Sequence, residues 1–213
     1  MSLKPHKYAL ALHTTTPKLG IALDNFHGDR GSQIWDLDRD LSSHVHQYLQ
    51  EIIQPQTWQD LEFIAVAKGP GGFTGTRVGV TIARTIGQQL DISVFGISNL
   101  AAIALFNCPD RNSDSLLAVQ MKARRDDLFV GIYQPLANNQ GLQTYLADSL
   151  MTVETWQQTL ANLDKPYQLI KAGDNIAMSV TSILDLAYLE WQQGKTSEWS
   201  QVVPFYGQHP VRN

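Results

Sequence analysis

The chain has 213 residues, 43% of them apolar, and a formal net charge of −4. This length suits one large domain or two small ones with a sizeable core. One short basic cluster at residues 122–125 is followed at once by Asp126 and Asp127, so tight binding of tRNA or DNA by this chain alone is not expected. No stretch approaches the roughly 20 apolar residues of a membrane span, and we expect a cytoplasmic protein.

Charged residues make up only 17% of the chain. Such a composition is compatible with a large buried contact, because the centre of a protein–protein interface is depleted in charged residues. A bias in residue usage explains it equally well. The single cysteine, Cys108, excludes a disulfide within the chain and a cysteine-based metal site.

The first half alternates short strands with helices. Apolar runs bounded by turn residues predict strands, and apolar side chains at helical spacing predict helices. The predicted elements are strands Tyr8–Leu12, Leu19–Leu23 and Ser32–Leu37, a helix Leu41–Ile53, a strand Phe63–Ala67, a helix from about Thr74 to Leu90, a strand Val94–Ile97 and a helix Asn99–Phe106 capped by Ser98. This β-β-β-α-β-α-β-α order is typical of a ribonuclease-H-like domain, which we assign to residues 1–110.

A second α/β lobe is predicted for residues 111–213. It follows a linker at Arg111–Asp114, and its tail from Ser200 has no periodicity. The predicted elements are strands Leu116–Met121, Leu128–Tyr133 and Gln143–Leu146 and helices Val153–Leu163 and Ile176–Trp191.

The strongest local signal is the glycine-rich segment from Lys68 to Gly79, which joins a strand to a helix. Such a loop can direct backbone N–H groups at a phosphate, and the start of the helix adds a favourable dipole. It is not a P-loop, because Gly75 is followed by Thr76 instead of lysine, and it lacks the glycine spacing of dinucleotide-binding loops. A tight turn that packs the helix closely on the sheet explains the loop slightly better than nucleotide binding does.

Small residues recur at every fourth position of that helix, at Gly75, Gly79, Ala83 and Gly87. A glycine inside a helix costs about 1 kcal/mol relative to alanine, and close approach of another element is the usual compensation. That element is either this chain's own helix Leu41–Ile53 or a helix of another protein, and the sequence does not choose between them.

The histidines and carboxylates form no recognisable catalytic or metal-binding pattern. No two histidines have the i, i+4 spacing of a zinc-binding helix, and His44 and His46 point to different sides of theirs. Asp36, Asp38 and Asp40 alternate in a connection between elements, which indicates a solvated loop. We therefore predict neither catalytic residues nor a metal site.

One segment resembles a known family. Residues 65–79, Ala-Val-Ala-Lys-Gly-Pro-Gly-Gly-Phe-Thr-Gly-Thr-Arg-Val-Gly, are similar to the signature of the bacterial TsaB family, with Gly72 in place of that family's serine. Other similar segments are Phe95–Ala102, Thr14–Thr16, Ala123–Arg124, His44 at the start of the first helix and the region of Tyr206. The resemblance covers residues 8 to about 135 well and the rest weakly.

The resemblance implies an actin-like ATPase (ribonuclease-H-like) fold of two related lobes, with mixed sheets flanked by helices. It also implies a non-catalytic subunit that pairs with the paralogous enzyme TsaD and acts with the ATPase TsaE to form N6-threonylcarbamoyladenosine in tRNA. In the absence of TsaD a homodimer is expected. No cofactor is expected on this chain alone, although the junction of the complex can accommodate ATP or ADP.

In that family two helices of the N-terminal lobe contact TsaD, and their counterparts here predict the partner interface. The predicted interface residues are Leu41, His44, Val45, Tyr48, Gly75, Val78, Gly79, Ile82, Ala83, Ile86 and Gly87. The glycine-rich loop is represented by Gly69, Pro70, Gly71, Gly72 and Thr74.

The chain departs from the family after the first strand, where His13-Thr14 replaces the usual Asp-Thr. In active members of the fold that aspartate helps to hold a metal-bound phosphate, and Mg²⁺ prefers oxygen ligands. The change argues against independent ATP hydrolysis. The alternative functions are a kinase or hydrolase of the same fold and a TsaD-like metallopeptidase. The missing phosphate-loop lysine and the missing His-x-x-x-His pair disfavour them.

Overall fold

The computed structural model describes residues 2–108, 110, 114–205 and 207. The strands are Tyr8–His13 (β1), Lys18–Asp24 (β2), Arg30–Asp36 (β3), Leu61–Ala67 (β4), Ser93–Ile97 (β5), Leu116–Lys122 (β6), Leu128–Pro135 (β7), Leu142–Met151 (β8) and Tyr167–Lys171 (β9). The α-helices are Leu41–Ile53 (α1), Phe73–Leu90 (α2), Asn99–Phe106 (α3), Val153–Ala161 (α4) and Val180–Gln192 (α5). Most of the predicted linker, residues 111–113, and Tyr206 lie outside the described residues.

The first sheet has the strand order β3-β2-β1-β4-β5. The three first strands pair antiparallel, whereas β4 runs parallel to both β1 and β5. Every residue of the central strand β1 is buried, as expected for an apolar strand covered on both faces. The predicted ribonuclease-H-like arrangement of the first lobe is confirmed.

The second sheet repeats this plan in the order β8-β7-β6-β9. Its first three strands are antiparallel and its fourth, β9, runs parallel to β6. The predicted pair of related lobes is therefore confirmed. Strand β9 was absent from the sequence-based prediction, and the predicted helix Ile176–Trp191 begins as a 3-10 turn, Ile176–Ser179, before α5.

Helices cover both faces of the first sheet and connect it to the second. Helices α1 and α2 pack on one face, where Val45 and Val80 meet Leu10 and Leu12 of β1. On the opposite face lies α5, the last α-helix of the described residues. Helix α3 packs on the second sheet, so each lobe contributes a helix near the other. The division of the chain at residue 110 stays a prediction.

Of the helices described, none is both long and apolar enough to cross a lipid bilayer.

Candidate functional site

The polar residues of the first lobe gather where its parallel strands end. The carboxyl ends of β1, β4 and β5 meet at one edge of the sheet, which is where open α/β sheets usually take their ligands. Asn99, directly after β5, is fully buried and its side-chain amide donates hydrogen bonds to Thr15 Oγ1 and to the carbonyl of Pro70, the latter at 2.8 Å. Asn99 therefore ties together the segments that follow all three strands.

His13, the last residue of β1, is fully buried at this edge. Its Nε2 lies 3.4 Å from Thr15 Oγ1, and its Nδ1 has no hydrogen-bond partner among the described residues. Burial lowers the pKa of His13 from 6.5 to about 4, because the imidazolium loses its hydration. At neutral pH the side chain is therefore an uncharged imidazole.

The glycine-rich loop packs against the turn between β1 and β2. Gly72 donates its N–H to the carbonyl of Thr15 at 2.7 Å, and a Cβ on Gly71 would lie 2.6 Å from the Thr15 Cβ. Gly69 and Pro70 are buried, whereas Gly71, Gly72 and Thr74 are exposed on their outer side. The inner side of the loop is thus filled by this chain's own backbone, as a tight packing turn requires.

The row of small residues in α2 packs against other segments of this chain. A Cβ on Gly75 would lie 2.0 Å from the Thr14 carbonyl oxygen, and one on Gly79 would lie 2.1 Å from Thr14 Oγ1. A Cβ on Gly87 would lie 2.2 Å from Val94 Cγ2. These glycines are therefore approached mainly by the β1–β2 turn and β5, which the sequence did not suggest. This chain's own helix α1, which the sequence did suggest, comes close at Gly75, where a Cβ would lie 3.7 Å from Leu41 Cδ2.

The predicted interface residues fall into two groups. Six are buried inside the lobe, namely Leu41, Val45, Gly79, Ile82, Ala83 and Gly87. The other five reach the surface of α1 and α2: His44 is exposed, and Tyr48, Gly75, Val78 and Ile86 are half-buried. Only this second group can touch another protein while the lobe stays folded, and the interface itself stays a prediction.

The surface of α2 adds two residues that the sequence analysis did not single out. Phe73, at the start of the helix, is 44% exposed, and the Arg77 guanidinium lies 4.1 Å from its ring centre. A cation held over an exposed aromatic ring is a common feature of protein-binding surfaces. The available signal in the sequence was a phenylalanine directly after two glycines.

A second polar cluster bridges the two lobes. Asp148 of β8 accepts a hydrogen bond from Ser98 Oγ at 2.6 Å and another from the Tyr133 hydroxyl. Burial raises the pKa of Asp148, while its hydrogen bonds and the charge of Lys68 act in the opposite direction. Burial also raises the pKa of Tyr133. Ser98 and Lys68 belong to the first lobe, so this cluster joins the two sheets.

Among the described residues, no three His, Cys, Asp or Glu side chains lie close enough to hold a metal ion together.

Sequence comparison identifies the family. A family model described as "TsaD: tRNA N6-adenosine threonylcarbamoyltransferase" matches residues 38–194. A Bacillus subtilis relative named tRNA threonylcarbamoyladenosine biosynthesis protein TsaB is 34% identical over 161 residues, which are 74% of this chain and 67% of the relative. The chain belongs to the TsaB family. The Escherichia coli protein of the same name is 24% identical over 216 residues, with 92% of this chain and 93% of the relative covered.

Structural comparison supports the fold of this TsaB-family chain. A Pseudomonas aeruginosa crystal structure, described as an uncharacterized protein with similarity to peptidase YeaZ, superposes with a TM-score of 0.77. The two sequences are 19% identical, and the match covers 95% of this chain and 100% of the Pseudomonas aeruginosa chain. YeaZ from the same organism gives a TM-score of 0.74.

Proposed function

We propose that this chain is a non-catalytic subunit in the formation of N6-threonylcarbamoyladenosine in tRNA. In this proposal it works in the cytoplasm, binds a TsaD homologue through the exposed sides of α1 and α2, and supports the enzyme together with TsaE. Any ATP or ADP binds at the junction of the complex instead of on this chain alone. Without TsaD the same surface forms a homodimer.

One observation carries the proposal: the glycine signature is packed against its own β1–β2 turn. Thr15 fills the inner side of the loop at Gly71 and Gly72, and Thr14 fills the groove at Gly75 and Gly79. A loop that cradles a phosphate needs that inner space and its N–H groups for the ligand. The signature therefore packs α2 closely against the first lobe and leaves the outer side of the helix exposed to solvent.

The chemistry of the strand edge supports the same reading. His13 is neutral and its Nε2 lies 3.4 Å from the hydroxyl of Thr15, which also accepts a hydrogen bond from the Asn99 amide. Neutral groups of this kind do not offset the charge of Mg²⁺, which prefers carboxylate oxygens. A subunit that only supports the enzyme needs no carboxylate at this position.

The exposed surface suits a partner. His44 on α1 and Val78 and Ile86 on α2 reach the surface, and α2 also carries the exposed Phe73 with its overlying Arg77. Aromatic residues and arginine are enriched at the energetic centres of protein interfaces. We expect this mixture of apolar and aromatic side chains to form the centre of the contact.

Reconstitution tests the proposal. Threonylcarbamoyl transfer to tRNA is measured with TsaD and TsaE homologues of the same organism, with and without this chain. We expect activity only when the chain is present, and co-elution of the chain with TsaD in gel filtration. Full activity without the chain, or transfer by the chain alone, would contradict the proposal.

The surface itself is tested by Val78→Glu. A carboxylate at a half-buried interface position must be desolvated without a partner charge, so TsaD binding should weaken tenfold or more, which corresponds to about 1.4 kcal/mol. Isothermal titration calorimetry measures the affinity, and circular dichroism checks the fold. The matched control is Gln88→Glu, because Gln88 is an exposed residue of the same helix near its other end. Equal affinities for both variants would place the contact elsewhere.

A further inference from the structure

The C-terminal segment after α5 returns to the first lobe and is anchored there. Val94 of β5 donates its N–H to the carbonyl of Ser197 at 3.0 Å, so the segment covers the free edge of the first sheet. Trp199 packs against the core, with the Arg84 guanidinium 5.6 Å from its ring centre. Val202 is only 5% exposed. We call Ser197–Val202 the latch root.

Beyond the root the segment crosses the end of the first sheet. Phe205 donates its N–H to the carbonyl of Lys68 at 2.7 Å, and its own carbonyl oxygen lies 3.0 Å from where a Cβ on Gly69 would be. Gly207 then meets the second lobe, since a Cβ there would lie 2.6 Å from Phe129 Cε1 of β7. We call Val203–Phe205 and Gly207 the latch tip, which contacts both lobes.

The root and the tip differ in how firmly they are held. The root buries Val202 and half-buries Trp199 in the first core. In the tip, Val203 is 60% exposed and Phe205 is half-buried. Segments that bury little apolar surface open locally at low free-energy cost. The tip can therefore come away while the root stays in place.

The latch lies next to the polar cluster that joins the lobes. A Cβ on Gly96 would lie 2.9 Å from Val202 Cγ1 and 3.3 Å from Lys68 Cδ, which places the Lys68 side chain beside the root. The charge of Lys68 in turn acts on Asp148, which is bonded to Ser98 across the lobes. Latch and cluster are thus neighbouring connections between the same two lobes.

We propose that residues 197–205 and 207 form a latch that holds the two lobes together. Its root is fixed on the first lobe, and reversible release of its tip from Lys68 and Phe129 lets the lobes separate at the carboxyl ends of β4 and β5. The latch follows from intramolecular contacts alone and does not depend on the proposed partner.

Hydrogen exchange tests the latch on the full chain and on two variants. The first ends at Val202, which keeps the root, and the second is Phe205→Ala, which weakens only the tip. The reporters are the amides of Lys68 and Asn99, which donate to the carbonyls of Ile97 and Gly69 beneath the tip, each at 2.9 Å. We expect both to exchange at least tenfold faster in the variants, while amides of β1 keep their rates.

Val203→Ala is the matched control, because this neighbouring side chain is 60% exposed and contributes little to the contact. Spin labels at the exposed positions Glu51 and Glu154, introduced as cysteines in a Cys108→Ser background, report the distance between the lobes. A wider distance distribution in both latch variants, but not in the control, is expected. Exchange within twofold of the full chain and an unchanged distribution in Phe205→Ala would overturn the proposal, even if the shortened chain did not fold.

Discussion

Gly79→Leu should destabilise the fold by at least about 3 kcal/mol, the upper part of the usual range for overpacking. Its Cβ alone would lie 2.1 Å from Thr14 Oγ1. Thr14 cannot yield easily, because it is fully buried and its hydroxyl donates to the Gly75 carbonyl at 2.7 Å. Removing a glycine from the helix returns up to about 1 kcal/mol and does not offset the clash. Urea denaturation measures the free energy of unfolding.

Thr81→Leu is the control for this experiment, since Thr81 is an exposed residue of the same helix. Its free energy of unfolding should stay within about 0.5 kcal/mol of the parent, as for most surface substitutions. If Gly79→Leu were as stable as the parent and only lost its binding to TsaD, the glycine row would face a partner and not the β1–β2 turn.

Acid should destabilise the protein through His13. The folded state holds the pKa of His13 at about 4, whereas the unfolded chain has the ordinary value of 6.5. Between these values the unfolded state binds more protons, so the stabilisation by neutral His13 is complete above pH 6.5 and is lost as the pH falls towards 4. Each pKa unit is worth about 1.4 kcal/mol, and the total loss is about 3 kcal/mol.

The His13→Asn variant isolates this effect. Burial raises the pKa values of Asp24 and Asp148, so these carboxyls bind protons more readily in the folded state and act in the opposite direction. They are unchanged in the variant. Urea midpoints of both proteins at several pH values should therefore diverge between pH 7 and pH 4, with the parent losing more. Parallel curves would show that His13 does not titrate with a lowered pKa.

Local sequence patterns predicted most elements of the first lobe. The apolar run Tyr8–Leu12 became the fully buried β1, and the helical spacing from Leu41 to Ile53 became α1 with unchanged ends. These patterns work because the side chains buried on one face of a helix or strand recur at a fixed spacing. A strand buried on both faces is a continuous apolar run. Edge strands carry less of that signal. In Tyr167–Lys171 only Ile170 is buried, and β9 was therefore missed.

The site was predictable in part. The glycine signature could be recognised from its residues, and its assignment to the TsaB family is confirmed. What the glycines contact could not be predicted, because Thr14 is 61 residues away from Gly75 in the chain. Asn99 was overlooked for a related reason, since an asparagine after Ser98 looks like an ordinary helix start. Its bond to Thr15 depends on the tertiary arrangement of three strands.

The position of α5 has a consequence for biosynthesis. One face of the first sheet, including Phe63 and Phe95, is covered by Ile183 and Leu184 of this helix. The ribosome releases those residues only after all of the first sheet and strands β6–β9 have been made, so the nascent first lobe has an uncovered apolar face until then. Domains usually fold in order as they emerge. Here the first sheet completes its core only after the second sheet has been made, and until then it is a natural target for chaperones.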